Sequence, residues 1–187
     1  MTAVRSLRVA DHRLVGARCC ESPNQDERPP GTALELIVIH GISLPPGQFG
    51  TGLVDDLFCN QIDPARDPAL AELCDLKVSS HLLIDRTGEV AQYVAFDRRA
   101  WHAGVSSWRG RDRCNDFSIG IELEGTDFAP YTAAQYHSLM AVIRALWEAY
   151  PSLGAEAVVG HCDIAPGRKT DPGPAFDWAM LRQELRR

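Results

Sequence analysis

No stretch of this chain approaches the roughly 18 apolar residues that a membrane-spanning helix needs, so no span is expected. Arg5, Arg8, Asp11, His12 and Arg13 interrupt the N-terminal region and leave no room for the apolar segment of about 7–15 residues that a secretion signal requires. Arg18 stands before Cys19 with no apolar segment ahead of it, which argues against a lipid-modified cysteine. A soluble, cytoplasmic protein is the expectation. The six cysteines, at 19, 20, 59, 74, 114 and 162, contain no Cys-x-x-Cys pair, and in a reducing compartment they read as buried thiols rather than a disulfide framework. Basic charge is also scarce: a net charge of −6 argues against general affinity for nucleic acid or anionic membranes. Arg98, Arg99, Arg109, Arg111 and Arg113 form a local exception, which either meets an acidic small molecule or is a solvated face. Linkers and repeats are missing too. With 187 residues and 45% hydrophobic content, one domain over 1–187 is expected, as a monomer, with residues 1–33 as an irregular leader packed over it.

What is present is a mixture of strand and helix patterns. LELIVIH at 34–40 reads as a buried strand that delivers His40 at its tip. Turn signals crowd residues 43–68, around a short apolar patch VDDLF; a long loop with a brief helix is predicted, and such loops often cover functional sites. HLLID, RTG and EVAQYV read as a hairpin with Thr87 and Gly88 at its turn. FSIGIELEG alternates, with Ile119, Ile121 and Leu123 on one face and Gly120, Glu122 and Glu124 on the other. Thr132 and Gln135 have capping-box spacing before a helical pattern that runs to Pro151. AEAVVG reads as a further strand, and Asp177 opens a terminal helix carrying Trp178, Leu181 and Leu185 on one side. This order is neither all-β nor a regular βαβ repeat. It predicts an α/β (mixed α+β) fold, with a central mixed sheet flanked by helices.

Chemistry concentrates in GHCDIAPGRKTDPGP at 160–174. With His40 it offers two imidazoles and a carboxylate, His161 and Asp171, the three protein ligands that leave a catalytic zinc one open position for water. The alternative is that these histidines are ordinary hydrogen-bonded residues. Pro172 biases Asp171 toward an extended conformation, which would align Lys169 with it. Cys162 adjoins His161, but neighbours on a strand face opposite ways, so it is not expected to join the ligands. Glu122 is either a solvent-facing acid or, if buried beside a metal, a general base; Lys169 is either a surface charge or a stabiliser of a carbonyl oxyanion. His102, in WHAG, either contacts substrate or neighbouring ligands, or packs beside Trp101, while His81 reads as structural.

Four stretches, VIHGISLPPGQFG, VSSHLLIDRTGEVAQYV, FDRRAWHAGVSSWRGRDRCNDFSIGIELEGTD and GHCDIAPGRKTDPGP, resemble the AmpD family of N-acetylmuramoyl-L-alanine amidases over about residues 35–183. The family is related to phage lysozyme-type amidases and peptidoglycan recognition proteins. The resemblance implies their fold, one zinc ion held by His40, His161 and Asp171, and catalytic roles for Glu122 and Lys169. It also implies a cytosolic 1,6-anhydro-N-acetylmuramoyl peptide substrate, cut between the lactyl carbonyl and L-alanine in cell-wall recycling. Arg113, His102 and Lys77 are the implied substrate contacts, Arg113 offering a bidentate fork to a peptide carboxylate. Two positions depart from the family: Gly41 stands where Asn is usual, and Lys77 where Arg is usual, and a point charge does not replace a fork. Two other functions compete, a recognition module that binds without cutting and a zinc hydrolase acting on another amide, including intact cell-wall polymer.

Overall fold

Leu36, Ile37, Val38 and Ile39 form an unbroken apolar run, and such a strand is stable only when both its faces are covered. In the computed structural model, which describes residues 7–66 and 68–186, it lies inside a six-stranded sheet. The chain begins with β1 (Val9–Ala10), β2 (Arg13–Leu14), β3 (Arg18–Cys19) and β4 (Gln25–Glu27), then β5 (Leu36–Ile42) and α1 (Leu53–Phe58). Four strands follow, β6 (Leu82–Ile84), β7 (Val90–Gln92), β8 (Arg98–Ala100) and β9 (Ser107–Trp108). The rest comprises β10 (Arg111–Asp112), β11 (Ser118–Glu124), α2 (Ala133–Ala149), β12 (Val158–Gly160), α3 (His161–Ile164) and α4 (Trp178–Leu185).

The sheet order is β12-β5-β11-β6-β7-β3. β12, β5, β11 and β6 run parallel, β7 is antiparallel to β6, and β3 is parallel to β7. The mixed sheet with flanking helices is therefore as expected. The predicted hairpin is β6 and β7, with Leu82 opposite Gln92 and Ile84 opposite Val90. Its turn is tied by the Asp85 carboxylate, which accepts from the backbone N–H of Thr87 at 2.8 Å and of Glu89 at 2.9 Å. Gly88 is needed there: its φ is 86°, and a Cβ would stand 2.8 Å from the Ala134 carbonyl oxygen.

One side of the sheet packs on α2 and α4, where Ile37, Ile39, Ile119, Ile121 and Leu123 meet Leu139, Val142, Ile143, Leu146 and Leu181. The capping box is present: Thr132 Oγ1 accepts from Gln135 N at 3.1 Å, and Gln135 Oε1 accepts from Thr132 N at 3.0 Å. Gln135 Nε2 also donates to the carbonyls of Ile84 and Glu124, which fixes the helix start at the ends of β6 and β11. The opposite side carries two smaller apolar clusters. One contains Leu36, Val38, Ala103, Phe117, Val159 and Ile164; the other contains Leu44, Leu53, Leu57, Phe58, Leu83 and Tyr93.

Two expectations need correction. Residues 9–27 contribute four short strands, and β3 completes the sheet edge, rather than forming an irregular leader. Strands of two or three residues are too short to leave a periodic signal. The first six residues of that leader lie outside the described residues. AEAVVG is a strand only over Val158–Gly160, because Ala155–Ala157 forms a 3₁₀ turn. The 44–70 segment, of which Asp67 lies outside the described residues, contains the brief helix as expected and is anchored in the core through Leu44, Leu53, Val54, Leu57, Phe58 and Leu70. Of the cysteines only Cys114 is fully buried. No helix among the described residues is long and apolar enough to cross a membrane.

Candidate metal centre and active site

Parallel pairing of β5 with β11 sets His40 directly beside Glu122. Side chains two apart on a strand share a face, so Ser118, Gly120, Glu122 and Glu124 line up on the side away from α2. That face is not solvated, as an alternating strand would suggest: Glu122 is 8% and Glu124 5% exposed. Residues from the 101–106 loop, α1 and α3 cover it. The imidazole of His102 lies against Gly120, where a Cβ would come within 2.5 Å of its ring, and the Glu124 carboxylate accepts from Gly50 N.

His161 arrives by a different route from the expected strand. It is the first residue of α3, immediately after β12, and Gly160 N donates to the Asp163 carboxylate at that helix start. Asp171 sits in a turn rather than an extended segment, before a cis bond to Pro172. Its carbonyl accepts from Cys162 N at 3.0 Å, and Tyr131 Oη donates to the Pro172 carbonyl at 2.9 Å. These bonds bring the loop back under the tip of β5. Gly41 makes room for that arrangement, since a Cβ there would lie 2.4 Å from the Tyr131 hydroxyl.

The three donors converge. His40 Nδ1 and His161 Nδ1 are 3.0 Å apart, and Asp171 Oδ2 lies 3.2 Å from the first and 3.1 Å from the second. His161 Nε2 is 3.1 Å from the Ala103 carbonyl, which has no proton to give, and 3.5 Å from Arg168 Nη2, whose shorter bond of 2.6 Å goes to that carbonyl; the closer contact places the hydrogen on Nε2 and the lone pair on Nδ1. Electron-rich atoms packed so closely fit a cation between them, and two imidazoles with one carboxylate form a donor set for zinc. Cys162 lies outside this donor set.

Burial controls the charges. Desolvation pulls the His40 imidazole down to about 4, only partly offset by Asp171, so it is neutral at pH 7 and free to ligate. Burial pushes the Asp171 carboxyl up, but its close approach to the His161 and His40 imidazoles, at 3.1 and 3.2 Å, outweighs it and holds the group below the usual carboxylate range. Glu122 goes the other way: burial first, then repulsion by Asp171, raises it well above 4.5. Its Oε1 is 4.0 Å from His40 Nδ1, and its Oε2 is buried with no hydrogen-bond partner among the described residues. Lys169 is exposed and makes no ion pair or hydrogen bond through its ammonium among the described residues, while its charge still acts on both His40 and Glu122.

The expected substrate contacts fare differently. Arg113 is 73% exposed, 3.2 Å from Asp116, and lines a cavity of about 550 Å³ with Val105, Ile164 and Arg168. His102 is instead buried, with one nitrogen 2.9 Å from His40 Nε2 and the other 3.1 Å from Ser118 Oγ. Lys77 lies exposed in the loop before β6, with no bond to the histidine group among the described residues. His81 is buried: Gly120 N donates to its Nδ1, and its Nε2 faces the Arg98 carbonyl. The arginine cluster is largely paired internally, Arg98 with Glu27, Arg99 with Asp26 and Asp116, and Arg111 with Glu35. Sequence reasoning missed Tyr131 and Ser118. Alternation along FSIGIELEG could have flagged Ser118, whereas nothing local to Tyr131 points to Pro172.

The profile of the N-acetylmuramoyl-L-alanine amidase family matches residues 30–174. The 1,6-anhydro-N-acetylmuramyl-L-alanine amidase AmpD of Escherichia coli K12 is 61% identical over 169 residues, which cover 90% of this chain and 92% of that protein. A crystal structure of a selenomethionine AmpD derivative superposes with a TM-score of 0.90 at 56% identity, covering 94% of this chain and 97% of the other. The N-acetylmuramyl-L-alanine amidase AmiD of E. coli, solved with anhydro-N-acetylmuramic acid-L-Ala-D-γ-Glu-L-Lys, superposes with a TM-score of 0.61 at 31% identity over 97% of this chain and 66% of its own.

Proposed function

The chain belongs to the N-acetylmuramoyl-L-alanine amidase family, and from that premise we propose that it is a zinc enzyme of the cytoplasm that releases the stem peptide from 1,6-anhydro-N-acetylmuramoyl peptides. One observation carries the metal reading: His40 Nδ1, His161 Nδ1 and Asp171 Oδ2 meet with mutual separations of 3.0–3.2 Å beside a buried carboxyl oxygen that has no partner among the described residues. The anhydro preference is supported by the name of the 61% identical relative, and by the anhydro-muropeptide seen in the AmiD complex.

His40, His161 and Asp171 hold the ion, which when bound supplies Lewis-acid polarisation and lowers the pKa of a water toward about 7. Glu122 moves the protons. Its raised pKa suits a group that takes a proton from water as the oxygen adds to the lactyl carbonyl carbon, then returns it to the alanine nitrogen as the C–N bond breaks. Glu122 Oε2, buried and without a hydrogen-bond partner among the described residues, is free to take that proton. Lys169 opposes the negative charge that develops on the carbonyl oxygen, and no carboxylate competes for its ammonium among the described residues. Arg113, at the edge of the adjoining cavity, offers its fork to a carboxylate of the stem peptide.

Mass spectrometry of purified anhydro-muropeptide incubated with the protein tests this reading. Free peptide and anhydro-N-acetylmuramic acid are expected, with none after chelation and recovery when zinc returns. Retention of intact muropeptide would make the protein a binding module. Faster release from whole sacculi than from the soluble fragment would move the substrate to the cell-wall polymer.

A further inference from the structure

A metal-binding imidazole must present a lone pair, and which of its two nitrogens does so depends on where its single proton sits. For His161 the Ala103 carbonyl, nearer to Nε2 than Arg168 is, favours the hydrogen there. For His40 the partner is another histidine, His102 Nδ1 at 2.9 Å from His40 Nε2, and either ring could be the donor. If His102 Nδ1 held the proton, His40 would carry its own on Nδ1, aimed at His161 and Asp171, and an ion could bind there only by displacing it.

The decision is made one residue further on. Ser118 Oγ lies 2.6 Å from the Cys114 carbonyl and 3.1 Å from His102 Nε2. The carbonyl only accepts, so the one hydroxyl proton goes to it. Ser118 Oγ is then an acceptor toward His102, which requires the hydrogen on His102 Nε2 and a lone pair on its Nδ1. Toward His102, His40 therefore donates through Nε2 and keeps the lone pair on Nδ1; this chain opposes Asp171 Oδ2, which lies 3.2 Å from Nδ1 and draws the hydrogen the other way in the metal-free site. Both side chains are held tightly. Ser118 is fully buried, His102 is 9% exposed, and its ring occupies the slot that Gly120 leaves by having no Cβ.

We propose that Ser118 and His102 are positioning residues that set the tautomer of His40, through a chain of proton donation running His40 to His102 to Ser118 to the Cys114 carbonyl. β11 thereby serves the site three times on one face: Ser118 fixes the proton, Gly120 seats the intermediary ring, and Glu122 stands beside the ligand. The consequence for metal binding rests on the zinc reading above, but the tautomer itself does not.

The test uses the full-length, metal-free protein labelled with nitrogen-15 in its histidines. Imidazole resonances should show His40 protonated at Nε2 in the wild type, and should shift toward a mixture, or to the Nδ1 form, in Ser118→Ala. Zinc affinity, measured by competition with a chromophoric chelator, should fall roughly 10- to 100-fold in Ser118→Ala and in His102→Phe. His102→Asn, whose amide oxygen replaces the acceptor at Nδ1, should recover most of that loss, which a purely structural role for the ring would not predict. A wild-type His40 protonated at Nδ1, or a Ser118→Ala protein with unchanged tautomer and unchanged zinc affinity, would overturn the proposal. Failure of the metal reading is separately visible, as a wild type that binds no zinc whatever its tautomer.

Discussion

On one face of the β5–β11 pair, Ile37, Ile39, Ile119, Ile121 and Leu123 pack against α2 and α4; on the other, His40 stands beside Glu122, with Ser118, Gly120 and Glu124 along the same line. The two faces share one backbone and one hydrogen-bond ladder, and both are buried. The first is closed mainly by apolar contact, with Gln135 pinning α2 to the ends of β6 and β11. The second is closed around polar groups, and it leaves a carboxyl oxygen without a partner among the described residues. The difference teaches that burial is used for opposite ends. Behind the sheet it stabilises the fold, whereas in front it shifts proton affinities, raising Glu122 and lowering His40.

Substitutions should separate these roles. Glu122→Gln is expected to lower turnover about 10²- to 10⁴-fold, and yet to stabilise the metal-free protein at pH 7 by about 1–3 kcal/mol, because it removes an unsatisfied buried carboxylate. The sign follows from the raised carboxyl. The proton-bound form is favoured by folding, so the contribution is complete below about pH 4.5 and is lost as pH rises through the folded value. Urea denaturation should therefore show the advantage of the variant growing upward from pH 4.5. Lys169→Ala should cost about 10²- to 10³-fold in kcat, with stability within about 0.5 kcal/mol of the wild type, since the ammonium is exposed and unpaired among the described residues.

Behind the sheet the pattern reverses. Ile121→Ala, at a fully buried position, should cost about 2–5 kcal/mol in chemical denaturation while leaving kcat nearly unchanged at low temperature. Gly41→Ala sits at the boundary. It should displace the Tyr131 hydroxyl from the Pro172 carbonyl, cost about 1–3 kcal/mol, and weaken zinc binding through the Asp171 loop. Thr132→Ala removes only the cap of α2, for about 1 kcal/mol, with no effect on the metal.

The elements legible in the sequence were those that state their own boundaries. The α2 capping box, the hairpin turn at Gly88 and the apolar run of β5 each carry a local signal, and each is found where expected. His40, His161 and Asp171 could be grouped by residue type and by the polar breaks they occupy, but their convergence depends on β12 lying beside β5 and on the Tyr131 tether, neither of which has a local signature. Glu122 could be placed on a face by alternation, though not known to be buried, because the covering residues come from the distant 101–106 loop. The two-residue strands near the N-terminus left no pattern to read, and their pairing is tertiary. His102 was visible as a residue of interest, while its partners Ser118 and His40 emerge only from the packing over Gly120.

The claim underlying this account is that His40, His161 and Asp171 hold one catalytic ion. Native mass spectrometry of the wild type and of Asp171→Ala, paired with turnover of anhydro-muropeptide before and after chelation, tests it most directly. One zinc per wild-type chain, little or none in the variant, and activity that follows metal content are predicted; full turnover by a wild type shown to be free of metal would contradict it.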